Sequence, residues 1–82
     1  FFQPIAFNLY PNPSDGTVQL QLNQSYQNAE IVVSDLAGRM IFSKVYENLQ
    51  KAQIELNEAS GLYSVSVKVG DKVVSTTLFI AR

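Results

Sequence analysis

Apolar and polar residues alternate one for one along most of this chain, and any fold it adopts has to satisfy that period of two. Between Thr17 and Asn23, Val18, Leu20 and Leu22 fall on one side and Gln19, Gln21 and Asn23 on the other. Between Ala29 and Asp35 the inward set is Ala29, Ile31 and Val33. Tyr63, Val65, Val67 and Val69 alternate with Ser64, Ser66 and Lys68, and Val74, Thr76, Leu78 and Ile80 share one face of the final run. Met40–Tyr46, with aromatic and β-branched residues, and the short run Gln53–Leu56 complete the series. Such alternation describes strands with one wet face, and no stretch carries a helical period.

The punctuation between these runs is turn chemistry. Asp35-Leu36-Ala37-Gly38 has an acidic first residue and a fourth-position glycine, which joins its flanking runs as a hairpin. Gly70-Asp71-Lys72 makes a second, shorter connection. Asn57-Glu58-Ala59-Ser60-Gly61 is a further turn cluster, while the polar stretches Gln24–Asn28 and Glu47–Ala52 read as loops. An edge strand through Ile5, Phe7 and Leu9 brings the total to seven, with turns about every ten residues. The expectation is an all-β, immunoglobulin-like β-sandwich of about seven short antiparallel strands.

Leu9-Tyr10-Pro11-Asn12-Pro13-Ser14-Asp15-Gly16 stands apart from that alternation. Two prolines one residue apart fix φ near about −65° and lack a donor. They push Tyr10 and Asn12 toward extended backbone. Asp15-Gly16 then turns the chain, with glycine free to take positive φ. The segment reads as a stiff entry that ends in a bend and launches the first clear strand. Ahead of it, residues 1–8 read as a linker or a short edge strand, with Pro4 at its start where a missing N–H does little harm.

Composition removes several classes of function. With 82 residues the chain is one domain with a small core. It contains no cysteine and no histidine, so disulfides, thiolate metal sites and Ser-His relays are out of reach. A formal charge of −1 with interspersed signs does not build the basic stripe that nucleic acid requires. The longest wholly apolar run is four residues, Leu78 to Ala81, against the roughly 20 of a membrane-spanning helix. The start lacks the basic and apolar regions of a signal peptide and does not begin with Met, which reads as a piece of a longer protein with any export signal upstream.

The residues capable of chemistry do not assemble into a catalytic pattern. Glu55 and Glu58 flank a strand end, where solvated carboxylates are the expectation; a general acid needs burial to raise its pKa. Asp15 and Asp35 sit where aspartate bonds its own backbone. Asp15 with Asn12 and Ser14 is the best calcium candidate, and it offers few oxygens. Tyr10, Tyr26, Tyr46 and Tyr63 are scattered and there is no tryptophan, a poor basis for a sugar platform. Tyr63 falls on the inward face, its hydroxyl reaching a backbone partner, whereas Tyr26 and Tyr46 are expected at the surface. No catalytic residue, cofactor or metal is predicted.

Four blocks together carry a resemblance. Tyr10-Pro11-Asn12-Pro13 with Gly16, then Asp35-Leu36-Ala37-Gly38-Arg39, then Ser60-Gly61-Leu62-Tyr63, then a closing strand ending in Arg82, occur in that order. In this the chain resembles the C-terminal sorting domain of type IX (Por) secretion substrates, over residues 9–82. The family's last segment often holds two basic residues; this one keeps only Arg82. The resemblance implies an address tag and not a catalyst. It would carry an upstream cargo domain of the same chain from the periplasm through the type IX translocon to the cell surface or beyond. A cell-surface sortase would then remove it, at a site within residues 1–8 or further upstream. Under it, Pro11, Asn12, Pro13 and Gly16, Asp35, Gly38 and Arg39, Gly61 and Tyr63, and Arg82 are the residues expected to serve partner recognition. The competing reading is a carbohydrate-binding or adhesive β-sandwich module appended to a secreted enzyme; an inert spacer is the third.

Overall fold

The computed structural model describes residues 5–81. The Pro4 and Arg82 expectations therefore lie outside the described residues. Five strands form one antiparallel sheet: β1 (Phe7–Tyr10), β2 (Thr17–Asp35), β3 (Met40–Glu55), β4 (Gly61–Val69) and β5 (Lys72–Ile80). The all-β class and both hairpin turns are as the alternation and turn residues dictate. The count of seven short strands is corrected to five. The polar stretches Gln24–Asn28 and Glu47–Ala52, read as loops, continue the backbone pairing and fuse four expected strands into two long ones.

β2 is the spine. β3 follows one edge of it from Thr17↔Glu55 to Ser34↔Met40. The other edge is shared: β1 takes Gln19–Leu22 and β4 takes Ala29–Asp35. β5 then pairs with β4 and closes the order β1-β2-β4-β5. A straight strand of 19 residues would run about 60 Å at 3.3 Å per residue. The described chain is only 41 Å in its longest dimension, so the β2–β3 ribbon bends back over itself.

The bend has a visible origin. Between Gln21 and Tyr26 β2 advances five residues while its partner passes only from Lys51 to Leu49, a register shift that breaks the pleat. Asn28 takes a left-handed φ of 53°, which asparagine tolerates better than most residues. Across this break the inward set passes from even numbers (Val18, Leu20, Leu22) to odd ones (Ala29, Ile31, Val33), all buried. An uninterrupted period of two could not switch in that way. Both halves of β2 feed one core, completed by Ile54 and Leu49 of β3, Tyr63, Val65 and Val67 of β4, and Leu78 and Ile80 of β5. Leu49 lies inside a stretch read as a loop. Tyr26 and Tyr46, expected at the surface, are half-buried and pack against that core.

Candidate functional site

The segment before β2 is a strap along the edge of β5. The Asn12 side-chain amide bonds the strand twice: Nδ2 donates to the Thr77 carbonyl at 3.1 Å, and Oδ1 accepts from the Phe79 N–H at 3.0 Å. Ser14 continues the contact through its backbone. Its N–H donates to the Phe79 carbonyl and its carbonyl accepts from the Ala81 N–H, both at 2.8 Å. Pro11 and Pro13, each preceded by a cis peptide bond, flank Asn12. A proline has no N–H to pair, so the amide side chain between them supplies what the backbone lacks.

Ser14, which the sequence offered only as a calcium-ligand candidate beside Asp15 and Asn12, is buried. Its hydroxyl donates to the Thr17 carbonyl at 2.8 Å and accepts from the Gly16 N–H at 3.0 Å. Gly16, at φ 115° where glycine is favoured, accepts at its carbonyl from the Leu56 N–H at 2.7 Å. Asp15 Oδ1 accepts from the Thr17 N–H. Asn12 Oδ1, the Ser14 hydroxyl and Asp15 Oδ1, considered for calcium, are thus each engaged by a backbone donor. The readable signal for Ser14 was its place two residues before Gly16, a serine turn in which the hydroxyl mimics a backbone acceptor.

Asp35 builds the second block. Its Oδ1 accepts from the Ala37 N–H at 3.0 Å and the Arg39 N–H at 2.9 Å, and its Oδ2 from Arg39 Nε at 3.1 Å. The Gly38 N–H donates to the Asp35 carbonyl, and the Asp35 N–H to the Arg39 carbonyl. Gly38 has a φ of 89°, and a methyl there would meet nothing within 4 Å. Conformation, not space, requires the glycine. Arg39 is exposed and also reaches Glu58 at 4.0 Å, a partner the sequence did not suggest.

The Arg39 backbone N–H is the largest influence holding the Asp35 carboxyl below its ordinary 3.8; burial opposes it, and the Arg39 side chain and Ala37 N–H add to the lowering. A carboxyl more acidic in the folded state than in the unfolded chain stabilises the fold above the unfolded value. That contribution disappears as pH falls through the folded one. Melting the parent and Asp35→Asn between about pH 6 and about pH 2 should give a constant gap above pH 5 that closes below about pH 4. A gap that stays constant through that window would mean the carboxylate's charge contributes nothing.

In the third block the Tyr63 hydroxyl donates to the Ala59 carbonyl at 2.6 Å, so this tyrosine is core with a satisfied polar end, as read from its position. Gly61 opens β4 beside it.

Pairing brings these blocks together. Ser14 bridges to Ile80, Ile80 pairs with Gly61, and Tyr63 pairs with both Leu78 and Asp35. The strap, the last residues of β5, the first of β4 and the last of β2 are therefore successive neighbours. At about 4.8 Å per strand, Ser14 and Asp35 lie about 15 Å apart across three spacings. Nothing in this strip is arranged as a catalytic pair: Asp35 and Glu58 face Arg39, and the hydroxyls of Ser14 and Tyr63 are bound to backbone. Among the described residues no helix is long and apolar enough to cross a membrane.

No individual curated protein matches the chain. The family model for the secretion system C-terminal sorting domain matches residues 8–81, so it takes in the strap, the hairpin, the Gly61–Tyr63 block and all of β2 to β5. That family is one of sorting signals and not of enzymes; membership implies engagement of the type IX machinery for an upstream cargo and export toward the cell surface or extracellular space. The chain belongs to the secretion system C-terminal sorting domain family and is a type IX secretion sorting signal.

Proposed function

We propose that the strip from Asn12 through Ile80, Gly61 and Tyr63 to Asp35 and Arg39 is the surface by which the type IX translocon reads this domain. One observation carries the reading: blocks scattered from residue 11 to residue 80 are pinned into one row by backbone pairing and by the Asn12 amide. A receptor that accepts many cargos has to read something common to all of them, and rigid backbone at turns suits that task. In this reading residues 9–82 are the sorting unit, and residues 1–8 lead in from the cargo. The folded-over sheet works as an immunoglobulin-like sandwich, because cutting β2 and β3 at the bend yields seven arms. The domain crosses the periplasm with its cargo, docks by the strip, and is removed by a cell-surface sortase. Pro11, Asn12, Pro13 and Gly16 set the strap. Asp35, Gly38, Arg39, Gly61 and Tyr63 set the far half, and Arg82, two residues after β5 in the sequence, adds a positive charge.

A periplasmic reporter fused ahead of residues 1–82 in a type IX-competent host tests this. The expected result is export of the reporter with the intact domain and periplasmic retention when the last residues are deleted. Arg82→Ala should melt like the parent yet export less. Retention with the intact domain, or export indifferent to the deletion, overturns the proposal.

A further inference from the structure

The sheet has three open edges among the described residues, and they are not treated alike. Natural sheets protect such edges with charge, proline, bulges or brevity, because unpaired N–H and C=O groups recruit other strands. β1 is four residues long and is followed at once by Pro11 and Pro13. The outer edge of β3 carries exposed Lys44, Glu47, Lys51 and Glu55 and a register shift near its start. β5 is protected least: after Lys72 at its start, the stretch from Val73 to Ala81 contains no charge and no proline.

The strap shows which groups β5 offers outward. It bonds the Thr77 carbonyl, both Phe79 groups and the Ala81 N–H, so odd-numbered residues direct their backbone to this edge. The strap ends its contact at Thr77. Beyond that point the N–H groups of Val73, Ser75 and Thr77 and the carbonyls of Val73 and Ser75 face outward with no strand beside them among the described residues. Val73 is 55% exposed, so nothing in the described chain covers this stretch.

We propose that the outer edge of β5 over Val73–Thr77 is a strand-pairing site, occupied during export by an extended segment of the secretion machinery. This rests on the sorting reading above and adds where and how docking occurs. Strand addition takes its affinity from main-chain bonds, which are common to any cargo tag of the same shape, and its selectivity from alternate side chains. The partner is an uncharged segment with apolar side chains beside Val73 and Val74, since a charged one would find no complement between Val73 and Ala81. The strap's second task is to end the open edge at a fixed register, so that an incoming strand stops at Thr77.

Ser75→Pro tests this because the Ser75 N–H points away from β4: proline there breaks no backbone bond of the β4–β5 ladder, losing only the exposed Ser75–Ser66 hydroxyl bond, but blocks an incoming sixth strand. Val73→Lys is the second variant, placing an edge charge on an exposed residue. Val45→Lys is the control for side-chain readout of the face: exposed Val45 lies on β3, outside the strip, in the same cross-strand row as Val73 through Glu30 and Lys68. With the reporter fusion exported by the parent domain, and all three variants melting like the parent, Ser75→Pro and Val73→Lys should each cut export at least about tenfold and Val45→Lys should not. If Ser75→Pro fails to fold, Val73→Lys decides. Near-parental export by folded Val73→Lys or Ser75→Pro overturns the strand-pairing site and leaves the sorting reading standing. Loss with Val45→Lys alone makes the face the reader and likewise overturns it. Failure of the parent fusion to export would instead sink the sorting reading itself.

Discussion

Val67→Asp leaves the domain unfolded. Val67 lies at the centre of β4, fully buried, paired with Ile31 on one side and Val74 on the other. An unpaired polar group in such a place costs about 2 to 7 kcal/mol, and an ionised carboxylate more. The two lost methyls add about 1.6 kcal/mol of apolar burial. Against this stands a total stability of about 4 to 12 kcal/mol for a chain this size, at 0.05 to 0.15 kcal/mol per residue. No described side chain near Val67 is cationic and inward-facing, so the carboxylate gains no partner. Far-ultraviolet circular dichroism and amide dispersion should show a random chain. The same substitution at exposed Thr76 on the neighbouring strand should move the melting temperature by no more than about 4 °C. A cooperative melt for Val67→Asp within about 10 °C of the parent would mean that the core is far looser than its burial implies.

Only half of that contrast is legible in the sequence: Val67 belongs to an alternating run, but Thr76 shares the face of Val74, Leu78 and Ile80, and it is exposed because β5 lies at the sheet's edge. What the sequence hid is continuity. Gln24–Asn28 is polar because all its side chains but that of half-buried Tyr26 are wet at the bend, and ladder bonds belong to the backbone and need no apolar side chains. Leu49, buried between exposed Asn48 and Gln50, is a single inward residue and too short a signal for period analysis. The turns fared better, because each is written in adjacent residues: Asp35 and Gly38 fix their own hairpin, and Gly16 its own bend. Their assembly into one row was not readable. It depends on the pairing of Ser14 with Ile80 and of Asp35 with Tyr63, contacts set by long-range register.

Ser14→Ala should be the most damaging change within the strap, although Asp15 is the more conspicuous residue in the sequence. Removing the Ser14 hydroxyl leaves the buried Gly16 N–H and the Thr17 carbonyl each without its partner. Unmade bonds of this kind cost about 2 to 4 kcal/mol in total. For a domain of this size that lowers the melting temperature by about 10 to 30 °C. Asp15→Ala removes only the exposed bond to the Thr17 N–H and should cost about 1 kcal/mol or less. The two variants also part company in hydrogen exchange. Ser14→Ala loosens the turn that positions the Ser14 backbone against β5, so the Ala81 amide, bonded to the Ser14 carbonyl, should lose protection, whereas Asp15→Ala should preserve it. If Ser14→Ala melts with the parent and Ala81 stays protected, the strap is held by its prolines and Asn12 alone, and the serine turn contributes nothing to the edge of β5.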